Sequence, residues 1–263
     1  MVRTEPGGNV EKYQTYFSGG HYDRRYPRPN PRMLSRATAL LPVGGCLLDF
    51  GCGSGRYFIP LSERAANALA FDVSPAALEL LDERLQQAAG STHAVLLGPE
   101  ADDLVEHCQQ RGGVDLALCL FGVIAHIETP AARRETLSLL ADCLAPQGRL
   151  LISVPNRLRR FRAEQRRARD ADHIHYVRVL DGARLDMTYR LYDAGSLIAE
   201  LDGAGYSVER LEAESILPES WVSRSTWLAR LDSCLCRCLP ARLGYGLLAV
   251  ARSRPRGRLE EPN

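Results

Sequence analysis

Short unbroken apolar runs alternate along this chain with longer stretches in which apolar positions recur every three or four residues. The first pattern marks strands buried on both faces, the second amphipathic helices. Their alternation predicts a mostly parallel sheet wrapped by helices. Asn30-Pro31 reads as a helix cap followed by a first-turn proline, opening a helix to about Leu41. Gly45 to Phe50 is a short buried strand and GCGSG is the turn after it. Ala68 to Asp72 is a second strand, and Ser74-Pro75 opens a helix with Leu78, Leu81, Leu85 and Ala88 on one face. Further strands are predicted at Thr92 to Leu97, Val114 to Leu120 and Gly148 to Val154. Thr129-Pro130 opens a helix that turns Leu137, Leu140, Ala141 and Leu144 inward. Up to Pro155 the chain is therefore a strand–helix unit repeated.

After Pro155 the rhythm changes. Residues 157–169 are arginine-rich and read as helical. Ile174 to Leu180 and Arg184 to Leu191 alternate around Asp181-Gly182, a hairpin signal. A helix near 195–203 and a strand near 206–214 follow. A helical insertion covers roughly 221–239, with Trp227, Leu228, Leu231, Leu235 and Cys238 along one stripe expected to pack on its own domain. Gly244 to Arg252 is the closing strand.

Composition narrows the class. The chain has 263 residues, enough for one α/β domain, with 45% hydrophobic and 25% charged residues, which excludes wholesale disorder. A net charge of +1 supplies no overall field to recruit nucleic acid or membrane. The stretch MVRTEPGGNVEK has no apolar core of signal-peptide length. No run reaches the roughly 18 apolar residues of a membrane span. With those signals missing, eight cysteines point to reduced thiols and a cytoplasmic protein; Cys46, Cys52, Cys119 and Cys143 lie in apolar contexts and read as core. Lys12 is the sole lysine, a bias most simply ascribed to codon usage.

The chemistry concentrates in LLDFGCGSGR at 47–56. Gly51, Gly53 and Gly55 let the backbone turn tightly and approach a ligand. A dinucleotide turn needs a glycine where Arg56 stands, so that reading fails. Asp49, two positions before the first glycine, suits a ligand carrying a cationic amino group better than a pyrophosphate. Asp72 ends the next strand, where a carboxylate can accept both hydroxyls of a ribose or simply cap the helix at Ser74-Pro75.

DFGCGSG, then AFD, then VDLALCLFGVIAHI, then LAPQGRLLISVPN together resemble class I S-adenosylmethionine (SAM)-dependent methyltransferases, clearly over residues 30–156 and in outline beyond. The resemblance implies a Rossmann-like, doubly wound α/β fold: a seven-stranded sheet, mostly parallel with an antiparallel last strand. To this the chain adds an N-terminal helical arm and a β-hairpin insertion. The expected organisation is an arm or lid at 1–29, a methyltransferase domain at 30–253 with insertions at about 157–192 and 215–243, and a flexible basic tail at 254–263. By the same resemblance, Asp49, Gly51 and Gly53, with Gly55 completing the turn, would hold the methionine part of SAM. Asp72 would bind the ribose and Val73 would pack on the adenine. Glu100 in GPEADDL is the first choice for the adenine amine, with Asp102 and Asp103 as alternatives, although that stretch is one residue longer than the family pattern. Phe121 and Gly122 would border the transferred methyl.

His126 lies at the open end of the sheet and is the candidate general base or acceptor contact; local backbone bonding is the competing role. Tyr13, Tyr16, Phe17, Tyr22 and Tyr26 precede the first core helix, and His173, His175, Tyr176, Tyr189 and Tyr192 fall in the hairpin. Both segments are expected to roof an acceptor pocket. Neither these histidines nor the CxCxC of Cys234, Cys236 and Cys238 has the spacing of a metal site, so no metal is expected. The seven arginines of 157–169 favour an anionic acceptor if that segment borders the pocket, and a solvated face otherwise. The leading expectation is methyl transfer to an oxygen or nitrogen of a small or lipid-like acceptor. Helix 221–239 is a candidate for peripheral membrane contact without insertion. YDRRYPRP and GCGSGRYF are also similar to methyltransferases that esterify carboxymethyl-uridine at the tRNA wobble position, which keeps tRNA as an alternative partner. A SAM-binding protein without catalysis is the third reading. Oligomeric state is not encoded in any of these signals.

Overall fold

The computed structural model describes residues 9–88, 94–99, 104–168, 172–180 and 183–254. The strands among these residues are β1 (Cys46–Phe50), β2 (Asn67–Phe71), β3 (Ala94–Leu97), β4 (Val114–Cys119), β5 (Leu144–Pro155), β6 (His173–Leu180), β7 (Ala183–Arg190), β8 (Tyr206–Ser215) and β9 (Gly246–Ser253). Seven of them form one sheet in the order β3-β2-β1-β4-β5-β9-β8, while β6 and β7 pair antiparallel as a separate ribbon. β1 to β5 run parallel, and β9 inserts antiparallel between β5 and β8. The expected sheet, antiparallel last strand, arm and hairpin are all present.

The helices are α1 (Asn9–Ser18), α2 (His21–Arg25), α3 (Pro31–Leu40), α4 (Phe58–Ser62), α5 (Pro75–Gln87), α6 (Leu104–Gln109), α7 (Pro130–Cys143), α8 (Arg162–Arg167), α9 (Ala194–Gly203), α10 (Glu219–Val222) and α11 (Thr226–Cys238). Three start as the capping signals require: Asn30, Ser74 and Thr129 each accept a backbone N–H of the first turn, with proline at the first helical position. Strand residues alternate between two cores. Leu48, Leu69, Ala117 and Ile152 face the layer of α6, α7 and α9, while Leu47, Ala68, Leu116 and Leu151 face that of α3, α4 and α5. Both faces are covered at the centre of the sheet, so β1, β2 and β4 are almost wholly apolar and buried.

Two segments differ from expectation. Residues 157–169 do not form one helix, because Asn156 folds the chain back first. Its Oδ1 accepts Leu158 N–H at 3.0 Å and its carbonyl accepts Arg160 N–H at 2.9 Å. Phe161 then adopts a left-handed φ of 56°, and only 162–167 are helical. In α11 the buried residues are Ala229, Asp232 and Cys236, whereas Trp227 is 68% exposed and Leu231 37%. The helix is rolled because Asp232 is turned inward, where it accepts Ile216 N–H at 2.7 Å and Leu217 N–H at 2.8 Å. Those two amides leave the end of β8 and would otherwise lack partners.

Below the open edge of the sheet, Arg133 of α7 is fully buried. It donates to Glu200 at 2.6 Å and to the carbonyls of Ile127 at 3.0 Å and Glu128 at 2.8 Å, fixing the chain just after His126. Removing one partner of a buried pair leaves the other desolvated and unmatched. Arg133→Met should therefore destabilise the fold by about 3 kcal/mol in urea unfolding, with the loss shared by Glu200→Gln rather than added to it.

Candidate active site

Parallel strands end in loops on one edge, and here β1, β2 and β4 deliver Asp49, Asp72 and Phe121-Gly122 to that edge. β1 and β2 are paired so that Asp49 lies beside Ala70 and Phe50 beside Phe71. Asp72 therefore follows directly alongside the turn that leaves β1. Its Oδ2 accepts Gly53 N–H at 2.8 Å and its Oδ1 accepts Ser74 N–H at 2.9 Å, so one carboxylate clasps the glycine turn to the next helix start. The amide of Val73 also acts on this carboxylate.

Asp49 is 4% exposed, and no described residue donates a hydrogen bond to its carboxylate. Burial, reinforced by the negative charge of Asp72, pushes its pKa up to about 7. Burial likewise raises Asp72 to about 6, held back by the amides of Ser74 and Gly53. A buried carboxylate without donors is costly, and a cationic group is the natural remedy.

At its three glycines the turn between them has no room for a side chain. Gly51, Gly53 and Gly55 all have positive φ, of 81°, 54° and 85°. A Cβ on Gly51 would lie 2.4 Å from Val123, and one on Gly53 would lie 3.0 Å from Phe17 of the arm. The glycine signal thus reports both conformation and close approach. Val73 is half-buried against the core beside Asp72. Glu100, Asp102 and Asp103 lie outside the described residues.

The arm covers this edge. Asp23 accepts Ser54 Oγ at 2.6 Å and pairs with Arg84 at 2.9 Å, while Gln14 accepts Ala76 N–H at 3.2 Å. Phe17, Tyr22 and Tyr26 pack into a ring cluster that continues to Phe121. Phe121 is itself left-handed, with φ 63°, and its amide donates to Ser153 Oγ at 2.8 Å. Gly122 sits under the Tyr189 hydroxyl, where a Cβ would be 2.2 Å away. A strained non-glycine residue at a sheet edge is a common mark of a functional turn.

His126 is held in a short 3₁₀ turn over Ile124–His126, its ring edge-on to Tyr13 at 5.3 Å and 4.3 Å from Tyr189. The arm and the hairpin thus meet at this histidine, as roofing segments should. His173 and His175 lie on β6, and the described residues contain no cluster fit to hold a metal ion.

Residues not singled out from sequence complete the edge. Arg56, directly after the turn, is buried and lies over the rings of Phe121, Tyr57, Tyr26 and Tyr22 at 3.9 to 5.6 Å. Glu219 approaches it at 3.4 Å, and Glu214 accepts Ser153 Oγ at 2.9 Å. Arg160 lies over Phe161, Tyr245 and Tyr189 at 5.0 to 5.7 Å. A run of buried charged and small residues at the end of β8, AES at 213–215, was the one sequence signal for Glu214.

A family model described as a methyltransferase domain matches residues 22–211. A ubiquinone biosynthesis O-methyltransferase from Xanthomonas axonopodis pv. citri is 28% identical over 129 residues, 49% of this chain. That stretch spans about half of the relative, 51% of its length. Among solved structures, the CcbJ methyltransferase from Streptomyces caelestis is similar with a TM-score of 0.59 and 14% identity, covering 88% of this chain and 89% of that one. A SAM-dependent methyltransferase from Clostridium acetobutylicum gives 0.61 at 12% identity, covering 91% and 99%.

Gly51→Ala should cost roughly 1–2 kcal/mol for the left-handed backbone alone, with more from the overlap with Val123. Thermal unfolding of Gly51→Ala with Val123→Ala should recover the overlap and not the backbone part. Full recovery would show that the turn tolerates a side chain.

Proposed function

The chain belongs to the methyltransferase-domain family, as a class I SAM-dependent methyltransferase, and we propose that it methylates an oxygen or nitrogen of a small or lipid-like acceptor. One observation carries the assignment of the site: two buried carboxylates end adjoining strands on either side of a turn whose three glycines each have positive φ and no room for a Cβ. The donor set fits the cofactor. Asp49, lacking any hydrogen-bond donor, would take its ammonium group, and Asp72 would offer its remaining lone pairs to the ribose hydroxyls. The amides of the Gly51–Gly55 turn approach the amino-acid part, Val73 flanks the base, and Phe121-Gly122 borders the methyl. Glu100 stays the proposed contact to the adenine amine.

The cofactor brings a methyl group on a sulfonium, an electrophile that needs no metal. The protein's task is alignment and exclusion of water. The arm, through Phe17, Tyr22 and Tyr26, would close the site from one side and Tyr189 from the other. His126, between Tyr13 and Tyr189, is proposed to contact the acceptor and to take its proton when the nucleophile is a hydroxyl. The domain proposal follows: an arm to residue 29, one catalytic domain to 253, and insertions that complete its roof. No described helix is long and apolar enough to cross a membrane. Trp221 and Trp227, exposed in a segment that also carries Arg224, Arg230 and Arg237, favour the peripheral reading of that insertion over packing.

Affinity for S-adenosylhomocysteine should rise with pH, because the ammonium requires ionised Asp49 and the ribose hydroxyls donate best to ionised Asp72, whose values lie at about 7 and about 6. Calorimetry should show a gain of roughly tenfold between about pH 5.5 and pH 8, abolished in Asp49→Asn. Stability should run the other way. Both folded values exceed the ordinary 3.8, so these groups stabilise the ligand-free fold at low pH and lose that contribution as pH rises through 6 and 7. Affinity that is flat with pH, or unmoved in Asp72→Ala, would remove the cofactor from this turn.

His126→Ala should lower kcat by about 10²-fold with an accepted substrate while S-adenosylhomocysteine affinity stays within about twofold. Unchanged kcat would reduce that ring to packing.

A further inference from the structure

Arg56, directly after the glycine turn, and Arg160 have neighbours in common. Glu214 and Tyr26 interact electrostatically with both Arg56 and Arg160. The Arg56 side chain is 4% exposed. Yet among the described residues its Nε and Nη2 have no hydrogen-bond partner, and its one ion pair there is the long 3.4 Å contact to Glu219. Arg160 Nε is also buried without a partner. The surrounding rings lie over the guanidinium faces. They satisfy the cation from above but cannot accept the in-plane N–H groups. Buried donors left open in this way are unfavourable unless something fills them.

We infer that Arg56 and Arg160 form an anion-binding site for a carboxylate carried by the acceptor, which is a planar, aromatic carboxylic acid or a close analogue. The inference rests on the adjoining turn being the methyl-donor site. Three observations select this class. The open N–H edges suit a planar two-oxygen anion, for which guanidinium is the matching fork. The walls are rings, from Phe121, Tyr26, Tyr189 and Tyr245, which favour a flat apolar body. Charge points the same way. Two guanidiniums are set against Glu214 and Glu219, the latter accepting Asn30 Nδ2 at 3.0 Å, and burial pushes both carboxyls toward their neutral forms.

A carboxylate gripped by two guanidiniums is a poor nucleophile, because its lone pairs are committed to charge-assisted bonds. It therefore serves as the handle. The methylated atom lies elsewhere on the ring, nearer Gly122 and His126.

The same carboxylate chemistry has a second source, the amino-acid end of the cofactor, and the experiment separates the two. Benzoate and benzamide are titrated calorimetrically into protein saturated with S-adenosylhomocysteine, and into cofactor-free protein. Benzoate should bind the saturated protein at least tenfold more tightly than benzamide. Arg160→Met should cut benzoate affinity at least tenfold while S-adenosylhomocysteine affinity stays within twofold. Arg160→Lys, which retains charge and loses the fork, should fall between and serves if the first variant does not fold. Equal affinity for the two probes, or no benzoate binding to saturated wild-type protein, overturns the inference. So does a tenfold loss of S-adenosylhomocysteine affinity in Arg160→Met with benzoate unaffected, which would hand the arginines to the cofactor. If S-adenosylhomocysteine itself does not bind, the reading of the turn fails instead, and the cofactor-free titration still decides whether the arginines take a carboxylate.

Discussion

Everything at the active edge depends on two carboxylates buried side by side where β1 and β2 end. The parallel register of these strands leaves no choice about this proximity: Asp49 pairs with Ala70, and Asp72 is the first residue past Phe71. Like charges in a dry place repel, and both groups are pushed toward their neutral forms. The arrangement persists because Asp72 also serves the backbone, clasping Gly53 and Ser74. Asp49 has no such structural employment. A group that costs stability and anchors nothing is best explained by a ligand.

The fold was legible because a doubly covered parallel sheet writes its strands as apolar runs and its helices with explicit caps. Asn30-Pro31, Ser74-Pro75 and Thr129-Pro130 each start a helix where the sequence says so. The glycine turn was legible for the same reason: three positive φ values in five residues leave only glycine. What was illegible came from contacts between distant segments. The arginine stretch breaks at Phe161, whose left-handed φ nothing in its own neighbours announces. The α11 stripe points to solvent because Asp232 is needed by two amides of β8, and periodicity carries no information about that need. Arg56 stood in the motif itself, but its partner Glu219 is 163 residues away. Rings from the arm and from β4 complete its cage.

The two halves of the edge divide the labour by charge. Around the glycine turn the protein presents carboxylates; against Phe121 and Tyr245 it presents guanidiniums wrapped in rings. The left-handed backbone of Phe121 turns the ring toward Arg56 and leaves the amide to Ser153, which in turn donates to Glu214. On the proposed reading, a cationic cofactor and an anionic acceptor are each drawn to groups of opposite charge. Like-charged compartments would have worked against joint occupancy.

This division also bears on the near-absence of lysine. Codon bias accounts for an arginine at the surface, where either cation serves. It does not account for Arg56, Arg133 or Arg160. Each is enclosed by rings or carbonyls in a way that uses the flat, weakly hydrated guanidinium. An ammonium in the cage of Arg56 would keep its charge concentrated on one nitrogen, cost more to desolvate, and lose the stacking on Phe121. It would also shed its proton more readily under the same burial. At these three positions, then, the residue type is set by the site. The compositional bias, read from sequence as background, conceals arginines that their surroundings select.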